Sequence, residues 1–279
     1  MASISVLISV YKSEKAEYLN KALKSVWDDQ VLKPQKIVLI QDGPVGEELS
    51  LVLSKWEKKL GSDFEIIRNE VNLGLTQSLI KGIKQINTEY IARMDSDDVS
   101  LPERFFRQAT FLDCHPEIAV VGSYIIEFED TDKELGIRKY PHNTKEAKET
   151  IYKANPLAHP VVMMRKSIFD RGINYNKDYK TTQDLALWFD ILSCGYEIHN
   201  IDVPLLMFRR NDNIYHRRTN MQDSWLELKI HEKGIYQLYG IAPYKSLFPI
   251  ARFILRLLPN SWVKFFYNGK WRERVVNSC

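Results

Sequence analysis

Residues 90–98 read YIARMDSDD, a run of β-strand type that ends in three aspartates within four positions. Three carboxylates at this spacing repel one another, and leaving them unpaired at the end of a buried strand is costly. A hard divalent cation such as Mg²⁺ or Mn²⁺ relieves the repulsion, because it takes oxygen ligands and commonly shares them with substrate phosphates. Alternation along an extended chain points Asp95 and Asp97 to the same side. The stretch therefore predicts a metal and nucleotide site, with a solvated, helix-capping acidic loop as the alternative.

Outward from this stretch, β-type runs alternate with segments of helical period through the first half of the chain. Residues 5–10, 37–40 and 64–67 are predicted strands, and helical patterns separate them. This alternation favours a parallel sheet with right-handed crossovers, in which ligands bind at the carboxyl ends of the strands. Residues 11–13 and 41–43 follow predicted strands, so we expect them to meet the aspartates in one crevice. Beyond about residue 119 the pattern becomes mixed, and we interpret it as an acceptor-side half of the same domain.

Two further polar positions are candidates for nucleotide binding. A carboxylate at Asp42 can accept a hydrogen bond from a pyrimidine N–H, although the sequence Asp-Gly-Pro at this point is also an ordinary turn. Asn72 precedes a predicted helix over residues 75–86, whose first N–H groups are suited to an anion. Helix capping by Asn72 is the more frequent reason for such a residue.

The second half of the chain contains candidates for the acceptor side. Asp184 precedes an apolar helix and is placed to act as a general base toward an acceptor hydroxyl, with Trp188 offering a flat face to a sugar. A helix-capping aspartate beside a core tryptophan explains the same residues. Arg217 and Arg218 are suited to a diphosphate. His159 has no second histidine at metal-ligand spacing, so a structural role competes with a functional one.

Charge is distributed unevenly along the chain. The net charge is +3, yet residues 243–279 contain seven basic residues and one acidic residue. Within this tail, residues 247–266 mix apolar and aromatic side chains with arginine and lysine, which is typical of an amphipathic segment in the interface of an anionic bilayer. A terminal helix packed on the domain is the equal alternative. The three cysteines form no CxxC pair, so a reducing compartment is expected, and neither a signal peptide nor a membrane span is expected.

Taken in sequence order, these motifs resemble the family 2 inverting glycosyltransferases of the GT-A fold. The resemblance covers roughly residues 3–220 and rests on residues 5–11, 41–43, 72–75, 92–98 and 183–188. Within that family the chain is similar to bacterial O-antigen and exopolysaccharide galactosyl- and glucosyltransferases. The segments that carry this finer similarity are residues 93–98, 155–156, 159–160 and 217–218.

The resemblance implies a fold and a role for each candidate. It implies an α/β, Rossmann-like mixed sheet with helices on both faces over residues 1–220, followed by a helical, amphipathic extension over residues 221–279. Asp97 would bind the metal, and Asp184 would be the base. The family usually has glutamate before this base, whereas Gln183 stands here, which should leave Asp184 a weaker base unless burial compensates. The remaining implied contacts are Tyr11, Asp42, Asn72, Arg93 and Asp95 to the donor nucleotide, and Trp188, His159, Arg217 and Arg218 to the acceptor or diphosphate.

The implied activity is transfer of galactose or glucose from a UDP-sugar, with Mn²⁺ or Mg²⁺, to a lipid-diphosphate-linked saccharide such as a polyprenyl diphosphate sugar. The expected location is the cytoplasm, peripheral at the inner face of the plasma membrane. An inactive sugar-nucleotide-binding scaffold is the alternative, because of Gln183. A nucleotidyltransferase would require a Gly-rich basic loop after the first strand, which is missing. Nucleic-acid binding is disfavoured because the basic residues cluster in an apolar tail.

Overall fold

The computed structural model describes residues 3–129, 133–210 and 221–257. These residues form one sheet of nine strands, and valine and isoleucine dominate the strands at its centre. The strands are β1 (Ile4–Val10), β2 (Lys36–Gln41), β3 (Phe64–Arg68), β4 (Tyr90–Asp95), β5 (Val99–Ser100), β6 (Ile118–Phe128), β7 (Glu134–Arg138), β8 (Met163–Arg165) and β9 (Glu197–Arg209).

The strand order is β3-β2-β1-β4-β8-β6-β9-β5, with β7 paired to β6. Strands β1 to β4 pair in parallel, as the sequence predicts for the first half of the chain. β8 runs antiparallel between β4 and β6, so the sheet as a whole is mixed. The parallel half therefore presents its carboxyl ends along one edge, next to the antiparallel half.

Helices cover both faces of this sheet, and each face has its own apolar core. Alternate residues of β1 show the division: Val6 and Ile8 face one core, and Leu7 faces the other. The predicted mixed α/β sheet with helices on both faces is confirmed. The helices are α1 (Ala16–Trp27), α2 (Glu47–Leu60), α3 (Leu75–Gln85), α4 (Arg104–Cys114), α5 (Thr144–Thr150), α6 (Lys166–Asp170), α7 (Gln183–Ser193), α8 (Met221–Tyr239) and α9 (Pro243–Leu257).

The sequence patterns do not predict β9, which pairs with β6 along nearly all of its length. Polar residues and Pro204 interrupt its apolar alternation. The structure accommodates the proline where the β6–β9 register shifts, next to Tyr124. As a result Arg209, which the sequence places in a polar patch, is the last residue of a long strand.

The helix α8 packs directly on α7. Gly234 makes this contact possible, because a Cβ added at this residue would lie 2.2 Å from the Phe189 ring. The next helix, α9, packs on α8, where Glu227 accepts hydrogen bonds from Arg252 at 2.9 Å and Arg256 at 2.7 Å. The predicted boundary at residues 220–221 falls beside residues outside the described ranges, and it stays a prediction.

Among the described residues, no helix combines the length and the apolar character that crossing a bilayer would require. The amphipathic tail predicted over residues 247–266 coincides with α9 up to Leu257, and its remainder lies outside the described residues.

We expect the substitution Gly234→Ala to destabilise the fold by about 1–3 kcal/mol, because the added methyl group overlaps the Phe189 ring at the α7–α8 contact. Gly46→Ala is the matched control, since an added Cβ there meets nothing within 4 Å. Urea denaturation of the three proteins measures the difference. Equal free energies of unfolding for Gly234→Ala and the control would show that α8 does not depend on this contact.

Candidate functional site

Three neighbouring parallel strands end at one edge of the sheet. Val10 is in register with Gln41, and Ser9 is in register with Asp95. The residues that follow these positions therefore lie along the same edge, and this part of the predicted convergence is confirmed. Tyr11 follows β1 with 39% of its surface exposed, so its ring is accessible to a ligand at this edge.

Asp42 joins two of the predicted nucleotide segments. Its buried carboxylate accepts hydrogen bonds from the backbone N–H groups of Leu73 and Gly74, each at 2.8 Å, and from the Asn69 side chain at 2.9 Å. The approach is close enough to require Gly43, where an added Cβ would lie 2.8 Å from the Asn72 backbone nitrogen. Asp42 is thus a structural anchor that holds the 72–74 loop next to the end of β2.

Asn72 does not cap α3. The helix begins at Leu75 with Gly74 as its N-cap residue and has no side-chain capping hydrogen bond, and the Asp42 carboxylate instead accepts from the Gly74 backbone N–H just before the helix. The Asn72 side chain is exposed, and its amide donates a long hydrogen bond of 3.4 Å to the Asp42 carbonyl. This leaves Asn72 on the accessible surface of the edge.

The three aspartates after β4 form a compact acidic cluster. One carboxylate oxygen from each of Asp95, Asp97 and Asp98 lies within 4.8 Å of the others. Burial, together with the charges of Asp97 and Asp95, raises the pKa of Asp98 well above its ordinary value. Oδ2 of Asp98 is buried without a hydrogen-bond partner. An orphaned carboxylate oxygen inside an acidic triad is the donor set that a hard divalent cation requires, so these residues fit the predicted Mn²⁺ or Mg²⁺.

Arg209 holds this cluster from the end of β9. Its backbone N–H donates to Asp98 Oδ1 at 2.8 Å, and its Nε donates to the Asp97 carbonyl at 2.9 Å. The guanidinium group lies over the Tyr18 ring at 3.9 Å and over the Phe128 ring at 4.4 Å. The sequence pattern does not predict this contact between Arg209 and the aspartates, because it does not predict β9.

Arg93 lies beneath the edge rather than on it. Its side chain is 2% exposed and forms an ion pair with Asp95. Its Nε and Nη1 atoms are buried without hydrogen-bond partners. The predicted contact between Arg93 and a nucleotide is therefore not direct in this structure, because Asp95 lies between Arg93 and the surface. Burial raises the pKa of Asp184 and lowers the pKa of His159, and the positive charge of Arg93 acts to lower both.

Asp184 lies in the first turn of α7, and backbone and side-chain hydrogen-bond donors hold its carboxylate. Burial raises the pKa of its carboxyl group, while the Leu185 backbone N–H and the Asn155 side chain lower it. The Asn155 amide donates to Asp184 Oδ2 at 2.5 Å. The preceding N-cap residue, Thr182, has φ of 60°, the single positive value among the described non-glycine residues. Strain of this kind costs about 1–3 kcal/mol, and it points to a constrained carboxylate.

The structure corrects the predictions for Trp188 and His159. Trp188 has no exposed surface, so its ring packs in the core and offers no face to a sugar. His159 is buried against Trp188, and its Nε2 lies 2.7 Å from the Tyr175 hydroxyl. Burial holds the pKa of His159 well below its ordinary value, so the ring is neutral. Arg217 and Arg218 lie outside the described residues.

The fold and the site define an α/β protein whose ligand edge lies at the carboxyl ends of a parallel half-sheet and contains an acidic cluster. The chain belongs to glycosyl transferase family 2, whose family model matches residues 5–173, more than half of the chain. Membership confirms the family predicted from the sequence motifs and supports a transferase activity.

Two bacterial glycosyltransferases are similar to the chain along nearly its whole length. The chain is 31% identical over 270 residues to the amylovoran biosynthesis glycosyltransferase AmsE of Erwinia amylovora, covering 94% of this chain and 97% of the relative. It is 28% identical over 265 residues to a UDP-Gal:alpha-D-GlcNAc-diphosphoundecaprenol beta-1,3-galactosyltransferase of Escherichia coli, covering 94% of each protein. The predicted likeness to exopolysaccharide and O-antigen transferases is thus confirmed.

Solved structures support the fold assignment. The structure of residues 1–349 of S. aureus TarS in complex with UDP-GlcNAc matches with a TM-score of 0.67 at 17% sequence identity, covering 91% of this chain and 72% of that chain. The same part of TarS in complex with UDP matches with a TM-score of 0.64, covering 98% of this chain and 77% of that chain. At this identity the likeness concerns the fold alone, and the predicted fold class is confirmed.

We expect the wild-type protein to bind Mn²⁺ in the presence of UDP, and Asp97→Asn to weaken that binding by at least about tenfold, because an amide oxygen carries no charge for a hard cation. Asp63→Asn, at an exposed position in a short 3₁₀ turn, is the control for loss of one negative charge. Isothermal titration calorimetry with Mn²⁺ measures the affinities. Unchanged binding by Asp97→Asn would exclude the acidic cluster as the metal site.

Proposed function

We propose that this protein is an inverting, metal-dependent transferase that moves galactose or glucose from a UDP-sugar to a lipid-diphosphate-linked saccharide during synthesis of a bacterial surface polysaccharide. The observation that supports this most strongly is the acidic cluster at the carboxyl edge of the parallel half-sheet, with its orphaned Asp98 oxygen. The Escherichia coli relative, whose name specifies UDP-Gal and a diphosphoundecaprenol-linked GlcNAc, supports the donor and acceptor classes.

The donor nucleotide is proposed to bind along the edge between Tyr11 and the acidic cluster. Tyr11 would stack on the uracil, the Asn72 side chain would reach the nucleotide from the loop anchored by Asp42, and Asp95 would contact the ribose or uracil side. Asp97, with Asp98 beside it, would hold the cation that neutralises charge on the departing UDP. Arg93 pairs with Asp95 from below and keeps its carboxylate oriented.

Asp184 is proposed as the general base. Asn155 donates to Oδ2 and orients the carboxylate, which would accept the proton of an acceptor hydroxyl. The freed oxygen attacks the anomeric carbon as UDP departs, in a single displacement. An α-linked donor then gives a β-glycoside. Burial raises the pKa of Asp184, the same direction as a negative neighbour at position 183 would act, and this supports an active base over an inactive scaffold.

The acceptor class also bears on where the reaction takes place. A lipid-diphosphate-linked saccharide is held in a bilayer, so the protein is proposed to act at the cytoplasmic face of the plasma membrane as a peripheral protein. Arg217 and Arg218 would contact a diphosphate. Arg209 would support the diphosphate side of the site by fixing the acidic cluster.

We expect Asp184→Asn to lower kcat by about 10²–10⁴-fold while leaving UDP-sugar affinity close to wild type, because the amide keeps the shape of the carboxylate but takes no proton. The assay measures Mn²⁺-dependent UDP release from UDP-galactose and UDP-glucose with a diphospholipid-linked GlcNAc analogue. Asp170→Asn, at an exposed position on α6, is the control. Binding of UDP-sugar by the wild type without any UDP release would contradict the proposal and favour the scaffold.

The pH profile of kcat should contain an acidic limb set by Asp184, since the base works only when it is deprotonated. Asn155→Ala removes a hydrogen bond that lowers the pKa of Asp184, so the pKa of Asp184 should rise and the acidic limb should move to higher pH. The variant should therefore lose more activity, relative to wild type, at low pH than at high pH. Asn143→Ala, which removes the α5 cap, is the control. A limb at the same pH in wild type and Asn155→Ala would exclude this role for Asn155.

A further inference from the structure

The outward face of α9 is apolar along its whole length. Tyr244 is 65% exposed, Leu247 66% and Ile254 53%, and these residues recur at the spacing of one helix face. The exposed positions of α9 include no charged side chain. They are Pro243, Tyr244, Leu247, Ile250, Ala251, Ile254, Leu255 and Leu257.

The inward face of the same helix contains its cations. Arg252 and Arg256 both donate to the Glu227 carboxylate of α8, at 2.9 and 2.7 Å. Lys245 is 9% exposed and lies 4.2 Å from the ring centroids of Tyr152 and Tyr239. Each basic residue of α9 therefore has an anionic or aromatic partner within the described protein.

This arrangement is the reverse of an ordinary surface helix, which turns its apolar stripe to the core and its charges to water. Packing on α8 does not explain the outward face, because that face points away from α8. Contiguous exposed apolar surface of this kind marks a site of interaction. The ion pairs to Glu227 fix the orientation, since turning the helix over would leave Glu227 without its cations.

The sequence beyond α9 favours a lipid bilayer over a second copy of this chain as the partner. Residues 258–279 contain five aromatic residues and four basic residues against one acidic residue. Tryptophan, tyrosine and phenylalanine together with lysine and arginine are the residues preferred at the interface of an anionic membrane, whereas charged residues are depleted in the core of protein interfaces. The composition of residues 258–279 is thus suited to lipid headgroups.

We propose that the outward face of α9 docks this protein on a lipid bilayer, with its apolar side chains in the interfacial region and its own cations withdrawn toward α8. This inference rests on the proposed function insofar as a lipid-linked acceptor places the substrate in that bilayer. Because Arg252 and Arg256 are paired internally, the contribution of α9 is apolar and insensitive to lipid charge.

The test is flotation of the full chain with vesicles of phosphatidylcholine alone and of phosphatidylcholine with phosphatidylglycerol. We expect the double substitution Leu247→Asp with Ile254→Asp to weaken binding to both vesicle types by about tenfold or more. The control is Leu51→Asp with Val71→Asp, which changes two apolar positions of similar exposure elsewhere. Transfer to a soluble acceptor analogue with a short lipid chain should stay at the wild-type rate for the double variant.

Two outcomes overturn the docking proposal. One is vesicle binding by the double variant equal to that of wild type. The other is a wild-type dimer in sedimentation velocity that the double substitution converts to monomer, with vesicle binding unchanged, which would assign the face to a second copy of the chain. Failure of the proposed function is separate, because it would appear as no transfer to the soluble analogue while vesicle binding persists.

Discussion

Mutual repulsion among Asp95, Asp97 and Asp98 is the constraint on which the rest of this site depends. Keeping three carboxylates together requires positive charge and hydrogen-bond donors on more than one side. Arg93, two residues before Asp95 on β4, forms an ion pair with Asp95, and Arg209 approaches the cluster from β9. These contacts compensate part of the negative charge of the cluster. The buried Asp98 Oδ2, which has no hydrogen-bond partner, remains available to a cation.

This constraint gives the antiparallel half of the sheet a function in addition to stability. β9 brings Arg209 to the aspartates, and the short strand β5, which follows them directly, pairs with β9 through Val99 and Ser100. The acidic cluster is therefore held in place both by its contacts with Arg209 and by the pairing of β5, the strand that follows it, with β9. A loop held only by its own sequence neighbours would relax away from such a concentration of charge, whereas a loop between two paired strands keeps its geometry.

The parallel half-sheet and its edge residues are predictable from sequence because their signals are local. Strand-type runs of four to six residues, separated by helical patterns, predict β1 to β4, and the aspartates follow one of these runs. Arg209 is not predictable in this way, because Pro204 and the polar residues of β9 hide a strand that only pairing with β6 stabilises. The internal contacts of Asp42 depend on residues about thirty positions away, so the turn pattern alone could not indicate them.

Burial is the other quantity that local patterns do not determine. Trp188 and Asp184 lie one helical turn apart, and the same residues suit either a sugar-binding face or a capped core helix. The difference is decided by tertiary packing, which buries the Trp188 ring in the core beside His159. The same reasoning applies to α9. Periodicity identifies an amphipathic helix but is silent about which side meets the protein, and here a single carboxylate, Glu227, turns the basic side inward and the apolar side outward. The direction in which an amphipathic helix faces therefore depends on the residues that pack against it. Where a helix has both an apolar and a basic side, an acidic residue on a neighbouring helix determines which side faces the protein.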